Sequence, residues 1–383
     1  MTVGRAPRPG SAACPACLRR SWLLAQLAGP LDCNCRADGR LFDLLRLPDQ
    51  ELIRALAGRR RHELERRHAR FSPRELVHTK GIEAICRHDP AYPRALRDAG
   101  DPATLFVRGG AQRLTRLTTR PVVAIVGTSR ATDYGIAIAG ALTRGLAASG
   151  VTVASELTDG IARAAQEGVA QAGGEALVVL AGGADVPVAA RRRSLHLRIA
   201  STGAALSELP CAAPARRWSS AAAVRIVAAI AELTIVVEAA DSRRELAAAR
   251  IARALGRHVA AVPGRVTSPA SCGPIALLRE GASLVRSPAD VLDLLAGVGH
   301  VADTGAIDER LEPRLRRVLE RVGAGLDTPG KLTGERDTGA TLQALSELEL
   351  LGLLARGHGG RYVLTHALGD SPVRYGSLRQ MEP

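Results

Sequence analysis

The clearest ligand chemistry in this 383-residue chain lies in PVVAIVGTSRATDYG, Pro121 to Gly135, where an apolar run ends at Gly127 and a short polar turn leads into a helix near Asp133. Glycine lets a backbone approach a ligand closely, and helix N-terminal amides beside Arg130 could hold a phosphate. Without a full G-x-G-x-x-G, dinucleotide binding is not implied, and a simple turn is the competing reading. A second cluster is Cys14, Cys17, Cys33 and Cys35, spaced C-x2-C and then C-x-C. Four thiolates could hold zinc in a tetrahedron. The second pair is tight for that, so reduced thiols in a small helical domain are the alternative. The nine histidines form neither H-E-x-x-H nor any other ligand spacing, and no nucleophile with its base can be argued from separation. Catalysis therefore has no support in the sequence, and no cofactor is expected.

These residues need elements to position them. Short β-branched runs at Val122 to Val126, Val151 to Val153, Ala176 to Leu180, Ala204 to Leu206, Thr234 to Val237 and Val259 to Val262 alternate with alanine-rich helical stretches. Such alternation predicts an α/β fold, a Rossmann-like parallel sheet core with helices on both faces. Ligands in such sheets sit beyond the carboxyl ends of the strands. Leu23, Leu24 and Leu27, then Leu41, Leu44, Leu45, Ile53 and Leu56, recur at the helical period. The expected organisation is a tail at 1–10, a helical domain of SAM or helix-hairpin-helix type at 11–80, the core at 81–297, a linker at 298–309, a winged-helix domain at 310–368 and a tail at 369–383. On the second helix of that last domain, Glu347 and Glu349 would repel phosphates, which favours docking over DNA contact.

Lysine plus arginine outnumber aspartate plus glutamate by 52 to 38, a net charge of +14 that attracts polyanions. Arginine-rich composition can also reflect base composition of a genome, so charge raises the case for nucleic acid without settling it. The most apolar stretch, Val224 to Ala240, carries Arg225, Glu232 and Glu238, so no membrane span is expected. An odd count of seven cysteines fits a reducing compartment, and a cytoplasmic location follows.

The motif G-T-x-R-x-T-x-Y-G resembles the opening signature of the DNA-processing protein A (DprA, Smf) family. The lead-in HDPAYPRALRDAGDPATLFVRGG is similar to the family's, and further matches follow in order: LAGGADVP, SELP, PARRW, VVEA, LGR, AVPG and LREGASLV. The likeness runs from about Ile85 to Leu295. It implies a Rossmann-like, dimerising domain that binds single-stranded DNA, protects it and helps load the RecA recombinase in natural transformation. By position, Gly127, Ser129, Arg130, Thr132 and Gly135 would form the phosphate-binding turn, Ser155 and Gly160 the second strand-to-helix loop, and Arg225 a further phosphate contact.

Three loops depart from the family pattern. Glu156 stands where a glycine is expected. Ser220, Ala221, Ala223 and Val224 replace a phenylalanine, a proline, an arginine and an asparagine. Arg243 and Arg244 replace a serine and a glycine, and Ile275 an asparagine. Base stacking on an aromatic contributes about 1–3 kcal/mol per base, so the missing ring predicts weaker, strongly salt-dependent binding. Two other readings stay open: a degenerate paralogue that serves as an interaction module, and a protein that handles nucleotide phosphates.

Overall fold

The computed structural model describes residues 13–34, 40–99, 102–186, 190–296, 312–323, 326–332, 338–350, 353–356 and 361–364. The expected tails and the 298–309 linker lie outside these. The strands are β1 (Ile82–Cys86), β2 (Thr104–Arg108), β3 (Val122–Val126), β4 (Thr152–Glu156), β5 (Ala176–Leu180), β6 (Ala204–Ser207), β7 (Leu233–Val236), β8 (His258–Ala261), β9 (Ser283–Leu284), β10 (Leu354–Arg356) and β11 (Tyr362–Leu364). The helices run α1 (Pro15–Gln26), α2 (Ala28–Asn34), α3 (Arg40–Arg46), α4 (Asp49–Leu56), α5 (Arg61–Arg70), α6 (Arg94–Asp98), α7 (Ala111–Thr118), α8 (Asp133–Ala148) and α9 (Ile161–Gln171). They continue with α10 (Ala190–Thr202), α11 (Arg217–Ile230), α12 (Ala247–Ala254), α13 (Cys272–Arg279), α14 (Pro288–Ala296), α15 (Pro313–Gly323), α16 (Pro329–Leu332) and α17 (Thr338–Leu350).

Strands β3 to β9 pair with one another in parallel within each of two compact units, as the alternation of runs predicts. The chain groups into two compact units, residues 1–119 with 177–230, and residues 120–176 with 231–383.

In the first unit, β2 lies antiparallel to both β1 and β6, and β5 pairs parallel with β6. The two leading antiparallel strands were not anticipated from the sequence, because IEAIC and TLFVR are single short runs without a repeat to mark them. Leu23, Leu27, Leu31, Leu52 and Ile53 are fully buried, so the helical period read in the sequence is the inner face of this helical segment. Arg20 and His68 both reach Asp49 at 2.8 Å and tie α1, α4 and α5 together. The charge-rich α5 presents Arg61 and Glu65 as a 2.9 Å pair on a solvated face and buries only Leu64 and His68. Trp218 is also fully buried and cannot stack on a base.

In the second unit the parallel strands run in the order β4, β3, β7, β8, β9. The five residues of β3 are all buried, as expected for a strand covered on both faces. Chain order runs outward from β3 in both directions, so a topological switch point lies between β3 and β7, where such sheets bind ligands. After the core, α15, α16 and α17 and the antiparallel β10–β11 pair enclose Leu315, Val318, Leu332, Leu345, Leu348 and Tyr362. This module docks on α8 through Asp327, which accepts from Arg144 at 2.6 Å and pairs with Arg361 at 3.2 Å and Lys331 at 3.5 Å. Burial holds the Arg144 guanidinium below the usual arginine range, the Asp327 charge opposing the shift. Glu347 is paired with Arg314 at 2.7 Å and Glu349 with Arg356 at 3.1 Å.

Candidate nucleic-acid interface

Strand β3 delivers Gly127 to the switch point, and Thr132 caps α8 by accepting from the Gly135 amide at 3.2 Å. A threonine in extended conformation before the first helical turn is a standard way to satisfy an N-terminal amide. What the sequence did not reveal is the occupant of this turn. Glu238, just past β7, is 3% exposed. Its carboxylate accepts from the Thr132 amide at 2.9 Å and the Thr132 hydroxyl at 2.6 Å, and its carbonyl accepts from the Thr128 amide at 2.7 Å. A Cβ on Gly135 would stand 2.3 Å from that carboxylate, and one on Gly127 would stand 2.6 Å from the Glu238 carbonyl. Both glycines make room for Glu238. An internal carboxylate thus takes the place at the helix N-terminus that an external phosphate would otherwise fill.

The same bonds that close the turn present its outer residues. Ser129 and Arg130 are exposed, and the Arg130 guanidinium meets no partner among the described residues. The second loop packs beneath them. Gly160 adopts φ +68°, and a Cβ there would lie 2.3 Å from the Thr128 carbonyl and 2.8 Å from the Ser129 Cα. Ile161 donates its amide to Thr128 at 3.2 Å. Ser155 is 1% exposed and accepts from Gln166 at 2.9 Å, so its hydroxyl is used inside the fold rather than on a ligand.

Arg225 stands apart from this group. It belongs to α11 in the first unit, where it donates to both carboxylate oxygens of Glu208, at 2.6 and 3.0 Å, and to the Ala222 carbonyl at 2.9 Å. At 7% exposure it is a buried ion-pair residue, which corrects the expectation that it meets a phosphate. Of the cysteines, Cys14 and Cys17 lie near Cys86 and His88. Cys33 is exposed and not among them, and Cys35 lies outside the described residues.

Two of the departures act on each other. Burial pushes the Glu156 carboxyl up to about 7, and the positive charge of Arg244 pulls it part of the way back. The arginine that replaces a small residue after β7 therefore offsets only part of the burial cost of the acid that replaces a small residue after β4. Because the folded chain holds this proton more tightly than the unfolded chain, the carboxyl's favourable contribution is full below its ordinary value of 4.5 and is lost as pH rises through about 7. Glu156→Gln should leave stability near wild type at pH 4 and raise it by about 3 kcal/mol at pH 8. Thermal unfolding of both chains across that range checks this, and a gain that does not grow with pH would refute it.

Residues 83–296, more than half the chain, match the model of the family described as DNA recombination-mediator protein A. The chain belongs to that family. A Mycobacterium tuberculosis protein named as a DNA processing protein DprA is 38% identical over 297 residues, covering 73% of this chain and 74% of its own length. Protein Smf of Escherichia coli is 31% identical over 290 residues, 72% of this chain and 75% of its own. The X-ray structure of DprA from Streptococcus pneumoniae superposes with a TM-score of 0.58 at 25% identity, covering 72% of this chain and 95% of that one. As a DprA family member, the chain has the Rossmann-like core that its strand alternation predicts. Among the described residues no helix is long and apolar enough to cross a membrane.

Proposed function

We propose that this DprA family protein binds single-stranded DNA through the Ser129–Arg130 rim of the β3–α8 turn, as a recombination mediator rather than an enzyme. The observation that carries the reading is that a buried Glu238 braces the turn while Arg130 faces solvent without an acidic partner among the described residues. A phosphate then meets a turn whose backbone is already fixed, which lowers the ordering cost of binding. Exposed Arg243 and Arg244, together with the net charge of +14, add the long-range field. In this reading the protein also dimerises, protects the strand and helps load RecA, as the motif resemblance implies. The α15–α17 module, buried against α8 through Asp327, serves as a packing unit in this reading. A nucleotide-handling enzyme fits less well, since Glu238 repels a phosphate at the switch point.

The test is fluorescence anisotropy of a labelled single-stranded oligonucleotide at low and near-physiological salt. Arg130→Ala should weaken binding about tenfold and lower the salt slope by about 0.7, the loss of one phosphate contact to a single strand. Binding that ignores Arg130, or that vanishes at near-physiological salt, would make the chain an interaction module instead.

A further inference from the structure

Three thiols and an imidazole converge in the first unit from two distant stretches of chain. Cys14 caps α1 and Cys17 lies in its first turn, while Cys86 ends β1 and His88 follows in the turn after it. The four ligand atoms lie within 4.8 Å of one another. The His88 Nδ1 is 3.5 Å from the Cys14 sulfur, 3.5 Å from the Cys17 sulfur and 3.8 Å from the Cys86 sulfur. Bonds of about 2.3 Å to sulfur and about 2.0 Å to nitrogen at tetrahedral angles put sulfur and nitrogen roughly 3.6 Å apart. The three distances fall around that value, with one imidazole nitrogen facing all three sulfurs.

We propose that Cys14, Cys17, Cys86 and His88 bind a single zinc ion that fastens α1 to the edge of the sheet. The spacing C-x2-C on a helix N-terminus and C-x-H at a strand end places each pair on one rigid element. The Cys14 amide donates to the Cys86 sulfur at 3.4 Å, and the Ala13 amide donates to the Ala84 carbonyl at 2.9 Å, so the two pairs are already held together by the backbone. Cys17 and Cys86 are buried and His88 is exposed, so an ion has a path in on the imidazole side. A set of three sulfurs and one nitrogen selects a soft or borderline cation over magnesium or calcium, which take oxygen ligands. Four protein ligands also fill a tetrahedron, leaving no position for a reacting water, so the ion has a structural role. A disulfide explains the cluster less well, because it would use two sulfurs and leave the third beside the imidazole with no purpose.

The experiment uses the full chain, purified under reducing conditions without chelator or affinity metal. Elemental analysis should find about one zinc per chain. Cobalt added to metal-stripped protein should give the visible bands of a tetrahedral ion together with sulfur-to-cobalt charge transfer in the near ultraviolet. Cys86→Ser and Cys14→Ser should lose the metal and Cys33→Ser should keep it. Because the first two variants could unfold, the wild-type chain is also melted after stripping and again after adding zinc or magnesium, where zinc alone should restore the melting temperature. A wild-type chain that purifies without zinc and gives no tetrahedral cobalt spectrum would overturn the proposal, as would full zinc retention in folded Cys86→Ser.

Discussion

Arg225→Ala is expected to destabilise the protein by about 3–5 kcal/mol, because it strands the Glu208 carboxylate in the interior without its partner. The side chains of the pair are 9% and 8% exposed, and the contact is bidentate, so water can do little to replace the lost guanidinium. A loss of that size corresponds to a fall in melting temperature of about 8–15 °C for a unit of this length. The variant also separates two roles for the residue. A phosphate contact would cost DNA affinity and lower the salt slope in the folded protein, whereas the buried pair leaves both as in the wild type. Replacing both partners with apolar residues, Arg225→Met with Glu208→Leu, should recover most of the loss, since the penalty comes from an unpaired charge and not from a missing attraction. Thermal and urea unfolding, with DNA titration on the folded fraction, check all three chains. A stable Arg225→Ala chain that has lost DNA affinity would restore Arg225 to the binding site.

Gly160→Ala should cost about 3–5 kcal/mol and weaken DNA binding as well. Two effects add. A φ of +68° is unfavourable for an L side chain by about 1–3 kcal/mol, and the new Cβ would collide with backbone atoms of Thr128 and Ser129, which must then move. Those atoms belong to the turn that presents Arg130. Gly150 supplies the control, since it has φ +73° but nothing within 4 Å of a new Cβ. Gly150→Ala should show the backbone cost of about 1–3 kcal/mol alone and leave DNA affinity unchanged. Equal effects at the two glycines in unfolding and anisotropy measurements would mean that the packing of Gly160 against the turn does not matter.

The parts of the fold that were legible in the sequence are those whose signal is local. The run VVAIV at Val122 to Val126 bounded by Gly127 reads as a strand because five consecutive apolar residues suit a strand covered on both faces, and β3 is buried throughout. The leucines of α1 and α4 read as helix because their period is 3.6. By contrast, β1 and β2 are antiparallel partners whose pairing depends on residues about twenty positions apart, and neither run carries that information alone.

The sequence by itself determined the family, the Rossmann-like alternation and the turn that carries Ser129 and Arg130, since each is written in contiguous residues. Only the tertiary structure decided what the side chains do. Glu238 reads as one letter of VVEA, yet it fills the helix N-terminus 106 residues earlier in the chain. Arg225 reads as a surviving phosphate contact and is consumed by Glu208, while Arg244 and Glu156 read as two separate losses and are electrostatically linked, Arg244 drawing the Glu156 carboxyl part of the way back. Cys86 and His88 complete a set with Cys14 and Cys17 across about seventy residues. The physical reason is common to all four: charge and ligand geometry act through a few ångströms of space, and folding, not sequence spacing, sets which groups come that close.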